Sequence, residues 1–389
     1  MHKRFIIIVL DSLGVGALPD AAAFGAGDTD ANTLAHIAAN TDLAIPNLAK
    51  LGMANILPLR NVAAIDRPAG AWGKMASMAR GMDTTSGHWE MVGLLLSAAM
   101  PTFPQGFPTP LIDALIRATG RGVLGNCVAS GTEIIERLGQ EHLATGKLIV
   151  YTSADSVLQI AAHERKIDLT ELYDICLRAR GILQGPYGVG RVIARPFVGV
   201  PGAFRRTENR RDFSLLPPAG GLLAKLRAAG IPVVAIGKIF DIFAGQDIDQ
   251  ALPGHNNSQS IASLKQALAM QEQGLIFANL VDFDSLYGHR NDAKGYGRAL
   301  MDFDQEVPAL LDLLGEEDIL VITADHGNDP CSPSSDHNRE YVPLLVAGAQ
   351  VTGMPLGIRR TFADLGQTAA AYFGIQPLAV GTSFMDQLC

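Results

Sequence analysis

The sequence predicts an α/β protein: a mostly parallel, doubly wound sheet with a smaller α+β unit inserted in its middle. Three observations carry this prediction. Short β-branched apolar runs recur without polar alternation, as strands do when both faces of a sheet are covered. Helix-period segments lie between several of these runs, and strand alternating with helix gives a sheet flanked by helices. Near residue 100 the composition shifts to Pro/Gly clusters and an arginine-rich run, and it shifts back near residue 218.

The first strand is expected at 5–10 and ends in Asp11 ("IIIVLDSLG"), with the helical pattern "TLAHIAANT" after it. The middle segment holds expected strands at 148–152 and 191–197 among "PTFPQGFPTP", "LQGPYGVG", "PFVGVPGAF", "SLLPPAGG" and "RRTENRRD". It reads as an inserted domain over 100–218, set between core segments 1–99 and 219–389, with both crossings in loops. The core resumes with the helical "LLAKLRAAG" and a strand at 232–237, then a strand at 275–281. The helical "AKGYGRALMDFDQEVPALLDLLG" separates that strand from the next, at 319–323, and "RTFADLGQTAAAYFGI" closes the chain as a helix.

Composition bounds the function. Over 389 residues, 48% hydrophobic, the chain has ample material for a core and a length suited to two or three domains. Its net charge is −8 and it has no basic stripe, which argues against nucleic acid. An anionic substrate must therefore be met by local cations or metals. Cys127, Cys176, Cys331 and Cys389 are far apart and form no CxxC, so free thiols in a reducing compartment are expected. The opening "MHKRFIIIVLDSLG" has too short an apolar run for a signal segment, and no stretch approaches the ~20 apolar residues of a membrane span. A cytoplasmic protein is expected, with no obligate protein partner called for.

Ligands of open α/β sheets bind outside the carboxyl ends of the strands. Three such ends carry acids and imidazoles: Asp11; Asp282, Asp284 and His289 in "VDFDSLYGH"; and Asp325, His326 and His337 in "TADHGNDPCSPSSDHNREY". Alone, an Asp at a strand end serves equally as a helix cap, and a His in a Gly-rich loop as a solvated side chain. Together they suit divalent Mn or Zn better than Ca or Mg. Asp11, Asp284, His289, Asp325, His326 and His337 are too many for one tetrahedral ion but enough for two ions ~4 Å apart, the arrangement that positions phosphoryl groups. A nucleophile is available in "GMDTTSGHWEMVGL", where Thr84, Thr85 and Ser86 precede Gly87-His88. The same letters read as a helix start, with Thr or Ser as cap and Glu90 after it. Both can hold, because backbone N–H groups at a helix N-terminus stabilise a phosphate placed there.

The stretches "IVLDSLGVGALPDA", "DTTSGHWE", "ASGTEIIERLG", "LIVYTSADSVLQIAAHE", "GRVIARPFVG", "NRRDFSL", "VDFDSLYGHRND" and "TADHGNDP…SDHNREYVPLL", taken in order, resemble the phosphopentomutase family of the alkaline phosphatase superfamily. The resemblance implies an alkaline-phosphatase-like core carrying two Mn2+ ions, and an inserted cap. It implies interconversion of ribose 1-phosphate and ribose 5-phosphate, and of the deoxyribose equivalents, through a phosphothreonine that a sugar bisphosphate activator replenishes. Asp284, His289 and His337 should then hold one ion, and Asp11, Asp325 and His326 the other. The phosphorylated residue should be Thr84. "DTTSGH" puts Ser86 where the family usually has a second Thr, which leaves Thr85 and Ser86 as alternatives. Substrate contacts are implied for Asp155, Arg191, Ile193, Arg206 and the core residue Lys238. Asp155 suits sugar hydroxyls and the arginine forks suit a phosphate, although an arginine-rich run is also an ordinary solvated surface. Cys331 reads as incidental. Other enzymes of the superfamily, such as cofactor-independent phosphoglycerate mutase, a phosphodiesterase or a phosphatase, share the metals and differ in the insert. A non-catalytic sugar-phosphate binder would be expected to lose the nucleophile or a ligand.

Overall fold

The computed structural model describes residues 3–25, 28–153 and 155–388, and the chain divides into two units, Met1–Ala98 with Pro217–Cys389, and Ala99–Leu216. Strands are numbered along the chain: β1 (Lys3–Leu10), β2 (Ala71–Met75), β3 (Val123–Val128), β4 (Leu148–Thr152), β5 (Val157–His163), β6 (Arg191–Val198), β7 (Arg205–Arg206), β8 (Arg211–Ser214), β9 (Val233–Ile236), β10 (Gln250–Leu252), β11 (Gln273–Leu280), β12 (Ile319–Thr323), β13 (Val342–Ala347) and β14 (Pro355–Arg359).

The larger unit is built on an eight-stranded sheet ordered β10-β9-β11-β1-β12-β13-β2-β14. From β10 to β12 every pairing is parallel, whereas β13 runs antiparallel to both of its neighbours. Seven of the eight residues of β1 and of β11, and all five of β12, are buried, so helices cover both faces and the apolar runs show no alternation. Those helices form two groups. Thr33–Asn40 and Pro46–Lys50 pack on Ala293–Leu311, and Thr84–Met91 and Leu222–Ala228 pack on Ala363–Phe373. Polar caps start several of them: Asn32, Asp83, Asn256 and Asp292 each accept a first-turn N–H.

The inserted unit has a six-stranded mixed sheet, β3-β4-β5-β6-β7, with β8 also paired to β6. Successive residues of β4 feed opposite sides of it. Leu148 and Val150 join the cluster under helices Thr109–Thr119 and Leu169–Ile182, whereas Ile149 and Tyr151 join the cluster under Gly131–Thr145. Cys127, Cys176 and Cys331 are free thiols; Cys389 lies outside the described residues. Among the described residues no helix is long and apolar enough to cross a membrane.

Candidate metal centre

Strand register places the candidate ligands together. Leu10 pairs with Leu280 and Val9 with Thr323, so Asp11 leaves the sheet beside Val281, and Asp325 follows two residues past Thr323. After β11 the chain makes a π-type turn over Phe283–Tyr287, a local widening that recurs at functional sites. That turn carries Asp284, and the short turn Gly288–Arg290 after it carries His289. Asp282 and Asp336 take local roles instead. Asp282 exchanges two 2.9 Å hydrogen bonds with Asn257, and Asp336 bonds Ser334.

Two triads form, each with ligand atoms within 4.8 Å of one another: Asp11, Asp325 and His326, and Asp284, His326 and His337. His289 joins the second, its Nε2 lying 3.3 Å from Asp284 Oδ2 and 3.2 Å from His337 Nε2. All six expected residues therefore meet in one neighbourhood, with His326 in reach of both carboxylate groups. Backbone contacts aim the imidazoles. The Nδ1 of His289 lies 2.7 Å from the Ser335 carbonyl oxygen and that of His326 lies 3.2 Å from the Gly327 carbonyl oxygen. A carbonyl only accepts, so each Nδ1 donates and each Nε2 presents its lone pair to the centre.

Asp11 Oδ1 and Asp325 Oδ2 are buried and have no hydrogen-bond partner. Orphaned carboxylate oxygens are costly in a protein interior, and a cation removes the cost. Burial and the neighbouring Asp325 charge push Asp11 up to about 7. Burial pushes His326 down to about 4, so it is a neutral ring with a free lone pair at neutral pH. Burial alone would raise Asp284, but His337 and His289 outweigh it and hold the carboxyl well below its usual range. Oxygen and imidazole donors with unmet charge fit a divalent cation.

Thr84 opens the helix Thr84–Met91, and its Oγ1 lies 3.3 Å from His326 Nε2. The cap of this helix is Asp83, not Thr or Ser. Asp83 accepts from Ser86 N at 3.0 Å and from Ser86 Oγ at 2.6 Å, so the buried Ser86 hydroxyl is committed to the cap. Glu90, expected near the helix start, sits in its last turn. It accepts from Ser77 Oγ, Met78 N, Ala79 N, Thr361 Oγ1 and Phe362 N, which moors the helix at its far end.

Lys238 Nζ is 3.5 Å from Asp11 Oδ2. In the inserted unit the Arg191 guanidinium lies 3.5 Å from Asp212 and 4.0 Å from Asp155; Asp155 and Arg206 are exposed, and Ile193 is buried in β6. Exposed Cys331 accepts a weak bond from Asn40.

Sequence reasoning missed several supporting residues. Ser12 holds φ +76°, rare for a non-glycine, and its N–H donates to Asp325 Oδ1 at 3.1 Å. Asn328 Nδ2 donates to Asp284 Oδ1 at 3.0 Å. Glu340 accepts from Gly16 N, Thr33 N and Thr33 Oγ1. Asn279 was detectable as a lone amide in the apolar run "LIFANL".

The Metalloenzyme superfamily profile matches residues 3–377. A phosphopentomutase of Caldanaerobacter subterraneus subsp. tengcongensis is 53% identical over 389 residues, covering 100% of this chain and 98% of that protein. The phosphopentomutase of Symbiobacterium thermophilum is 51% identical over 390 residues, covering 99% and 98%. A solved structure of a Pyrococcus horikoshii protein superposes with a TM-score of 0.50 at 14% identity, covering 96% of this chain and 98% of the other, a likeness of fold. With relatives named phosphopentomutase at this identity over nearly the whole of both chains, and the Metalloenzyme profile matched over residues 3–377, the chain belongs to the phosphopentomutase family of the alkaline phosphatase-like Metalloenzyme superfamily.

Proposed function

We propose that the protein interconverts ribose 1-phosphate and ribose 5-phosphate, and their deoxyribose counterparts, through a phosphorylated Thr84. The observation that carries this reading is the Thr84 hydroxyl, 3.3 Å from His326 Nε2 within the acid–imidazole centre. The residues fit two Mn2+ ions, one held by Asp284, His289 and His337 and the other by Asp11, Asp325 and His326. When bound, the ions neutralise phosphoryl charge and lower the pKa of the Thr84 hydroxyl. Because Asp83 engages Ser86, Thr84 is favoured over Ser86 as nucleophile. A phosphoryl group on Thr84 sits at a helix N-terminus, where first-turn amides have no intrahelical acceptor.

In the proposed cycle phospho-Thr84 gives its phosphoryl group to the free hydroxyl of a pentose phosphate. That hydroxyl loses its proton, the Thr84 oxygen regains one, and a pentose bisphosphate forms. The bisphosphate reverses and returns its other phosphoryl group to Thr84. A sugar bisphosphate activator loads the enzyme at the start. Asp155 is proposed to accept from the sugar hydroxyls, Arg191 and Arg206 to hold the idle phosphate, Ile193 to flank the sugar, and Lys238 to meet the phosphate in the core. The match of "TSAD", "GRVIAR", "RRT" and "IGKI" to the family pattern supports these roles. Full-length relatives named phosphopentomutase favour this activity over phosphoglycerate mutase or phosphodiesterase chemistry. The free pentose phosphates are the expected partners, and the cytoplasm the expected compartment.

The test is a coupled assay of ribose 1-phosphate conversion with Mn2+ added and then chelated, beside intact-mass detection of the phosphoenzyme. Thr84→Ala should abolish conversion and the phosphoryl mass increment while Mn2+ still binds; near-normal conversion by this variant would remove Thr84 from the mechanism.

A further inference from the structure

We propose that His88 and Asn279 form a relay that aims the carboxylate of Asp11 and holds the Thr84 backbone, making both of them positioning residues for phosphoryl transfer. The inference rests on reading Asp11 as a metal ligand.

His88 is fully buried in the helix that Thr84 begins, and its ring packs on Phe277 of β11 at 5.7 Å between centroids. Its Nδ1 lies 2.8 Å from the Thr84 carbonyl oxygen. A carbonyl only accepts, so Nδ1 donates there. Asn279, buried on β11, lies 3.1 Å through Nδ2 from Asp11 Oδ2 and 3.4 Å through the same nitrogen from His88 Nε2. The atom facing a carboxylate must be the amide nitrogen, which fixes the orientation of Asn279. Its two hydrogens serve two acceptors, Asp11 Oδ2 and His88 Nε2. The ring therefore donates at Nδ1 and accepts at Nε2.

The result is a continuous chain from the Thr84 carbonyl through His88 and Asn279 to Asp11. Its geometry sorts the carboxylate oxygens. Asp11 Oδ2 is tied to Asn279, which leaves Oδ1 free. Asp325 Oδ1 is tied to Ser12 N, while Oδ2 stands 3.2 Å from His88 Nδ1 without a hydrogen bond, free for a cation. The helix can come this close because residue 87 is glycine: a Cβ there would lie 2.2 Å from the Asp325 carbonyl oxygen. A shift in Asp11 thus reaches the Thr84 backbone through three hydrogen bonds, Asp11–Asn279, Asn279–His88 and His88–Thr84, and partners of this kind commonly set metal affinity.

The experiment is calorimetric titration of the metal-free enzyme with Mn2+, with kcat, KM and intact phosphoenzyme mass measured in parallel. His88→Leu and Asn279→Leu should each bind Mn2+ about 10–100-fold more weakly and lose kcat with little change in KM. His88→Gln, whose amide oxygen can take the place of the Nε2 acceptor facing Asn279, should recover most of the lost affinity, and the double leucine variant should fall little below the single ones. Folding of each variant is read separately from the unfolding midpoint of the metal-free protein. Should His88→Leu not fold, Asn279→Leu and His88→Gln decide the matter alone. Wild-type Mn2+ affinity in folded His88→Leu or Asn279→Leu, or no recovery in His88→Gln, overturns the relay. Failure of the wild type itself to bind Mn2+ overturns the reading of the centre, and the relay with it.

Discussion

Thr84, Ser86 and Asp83 share one turn of chain, yet their oxygens face different tasks. Ser86 Oγ and N both bind Asp83, whereas Thr84 Oγ1 looks toward His326. Asp83→Ala should therefore lower stability by about 1 kcal/mol through loss of the cap. Ser86→Ala should leave the phosphoenzyme intact; a phosphoryl mass lost in Ser86→Ala but kept in Thr84→Ala would reverse the assignment. Glu340 makes a different point at the same scale. Its carboxylate fills the space beside Gly14 and Gly327, where a Cβ would lie 2.2 and 2.4 Å from its oxygens. Burial pushes its pKa up from 4.5 to about 7, against the pull of the Thr33 and Gly16 donors. A carboxyl raised in the folded state holds its proton more tightly there than in the unfolded chain. Its contribution is complete below about 4.5 and is lost as pH rises through about 7, a change of about 3 kcal/mol. Urea unfolding of the metal-free protein at about pH 5.5 and about pH 8 should show about 2 kcal/mol of that loss, the rest falling mostly below about pH 5.5, and Glu340→Gln should reduce the difference by that amount.

At the scale of elements, the centre depends on how closely the helix Thr84–Met91 approaches the end of β12. Gly87 permits contact with the Asp325 backbone, and Glu90 fixes the other end of the helix to Ser77 and Thr361. Gly87→Ala must move either the helix or the Asp325 carbonyl, since 2.2 Å is far inside van der Waals contact. An ångström of displacement at a reacting hydroxyl costs on the order of a hundredfold in rate. The variant should therefore lose about that much kcat/KM while keeping its far-ultraviolet circular dichroism; unchanged kcat/KM would show that the approach is not critical. The strained Ser12, φ +76°, belongs to the same construction. Turning the chain sharply after Asp11 lets the Ser12 N–H reach Asp325 Oδ1.

Across the whole larger unit, chemistry and stability are assigned to opposite ends of the sheet. At the amino ends of β1 and β12, Arg4 pairs with Asp318, both fully buried, and also donates to the carbonyls of Leu268, Gln271 and Leu313. Seven residue steps of extended chain, roughly 23 Å, separate Arg4 from Asp11. Arg4→Met leaves the Asp318 carboxylate buried without its partner, which should cost about 3–5 kcal/mol. Chemical unfolding should report that loss, while Mn2+ affinity and kcat of the folded protein stay unchanged; a parallel fall in Mn2+ affinity would show that the two ends are coupled.

The apolar runs that became β1, β4, β6, β9, β11 and β12 were legible in the sequence, because strands covered on both faces need no polar alternation. Strands β2, β13 and β14 were not, since glycine or proline interrupts each of them and only pairing with neighbours makes them strands. Acids and imidazoles at three strand ends were equally plain, because the residue types and their position after an apolar run are local facts. By itself the sequence thus determined the α/β class, the family, and which side chains had the chemistry for a centre. Tertiary structure decided the rest: that Asp282 and Asp336 turn to local bonds, that Ser86 serves a cap, that His326 stands within reach of both carboxylate groups, and that His88 and Asn279 lie between Asp11 and the Thr84 carbonyl. Those outcomes depend on hydrogen-bond direction and distances between segments up to about three hundred residues apart in sequence, and no local pattern of letters encodes them.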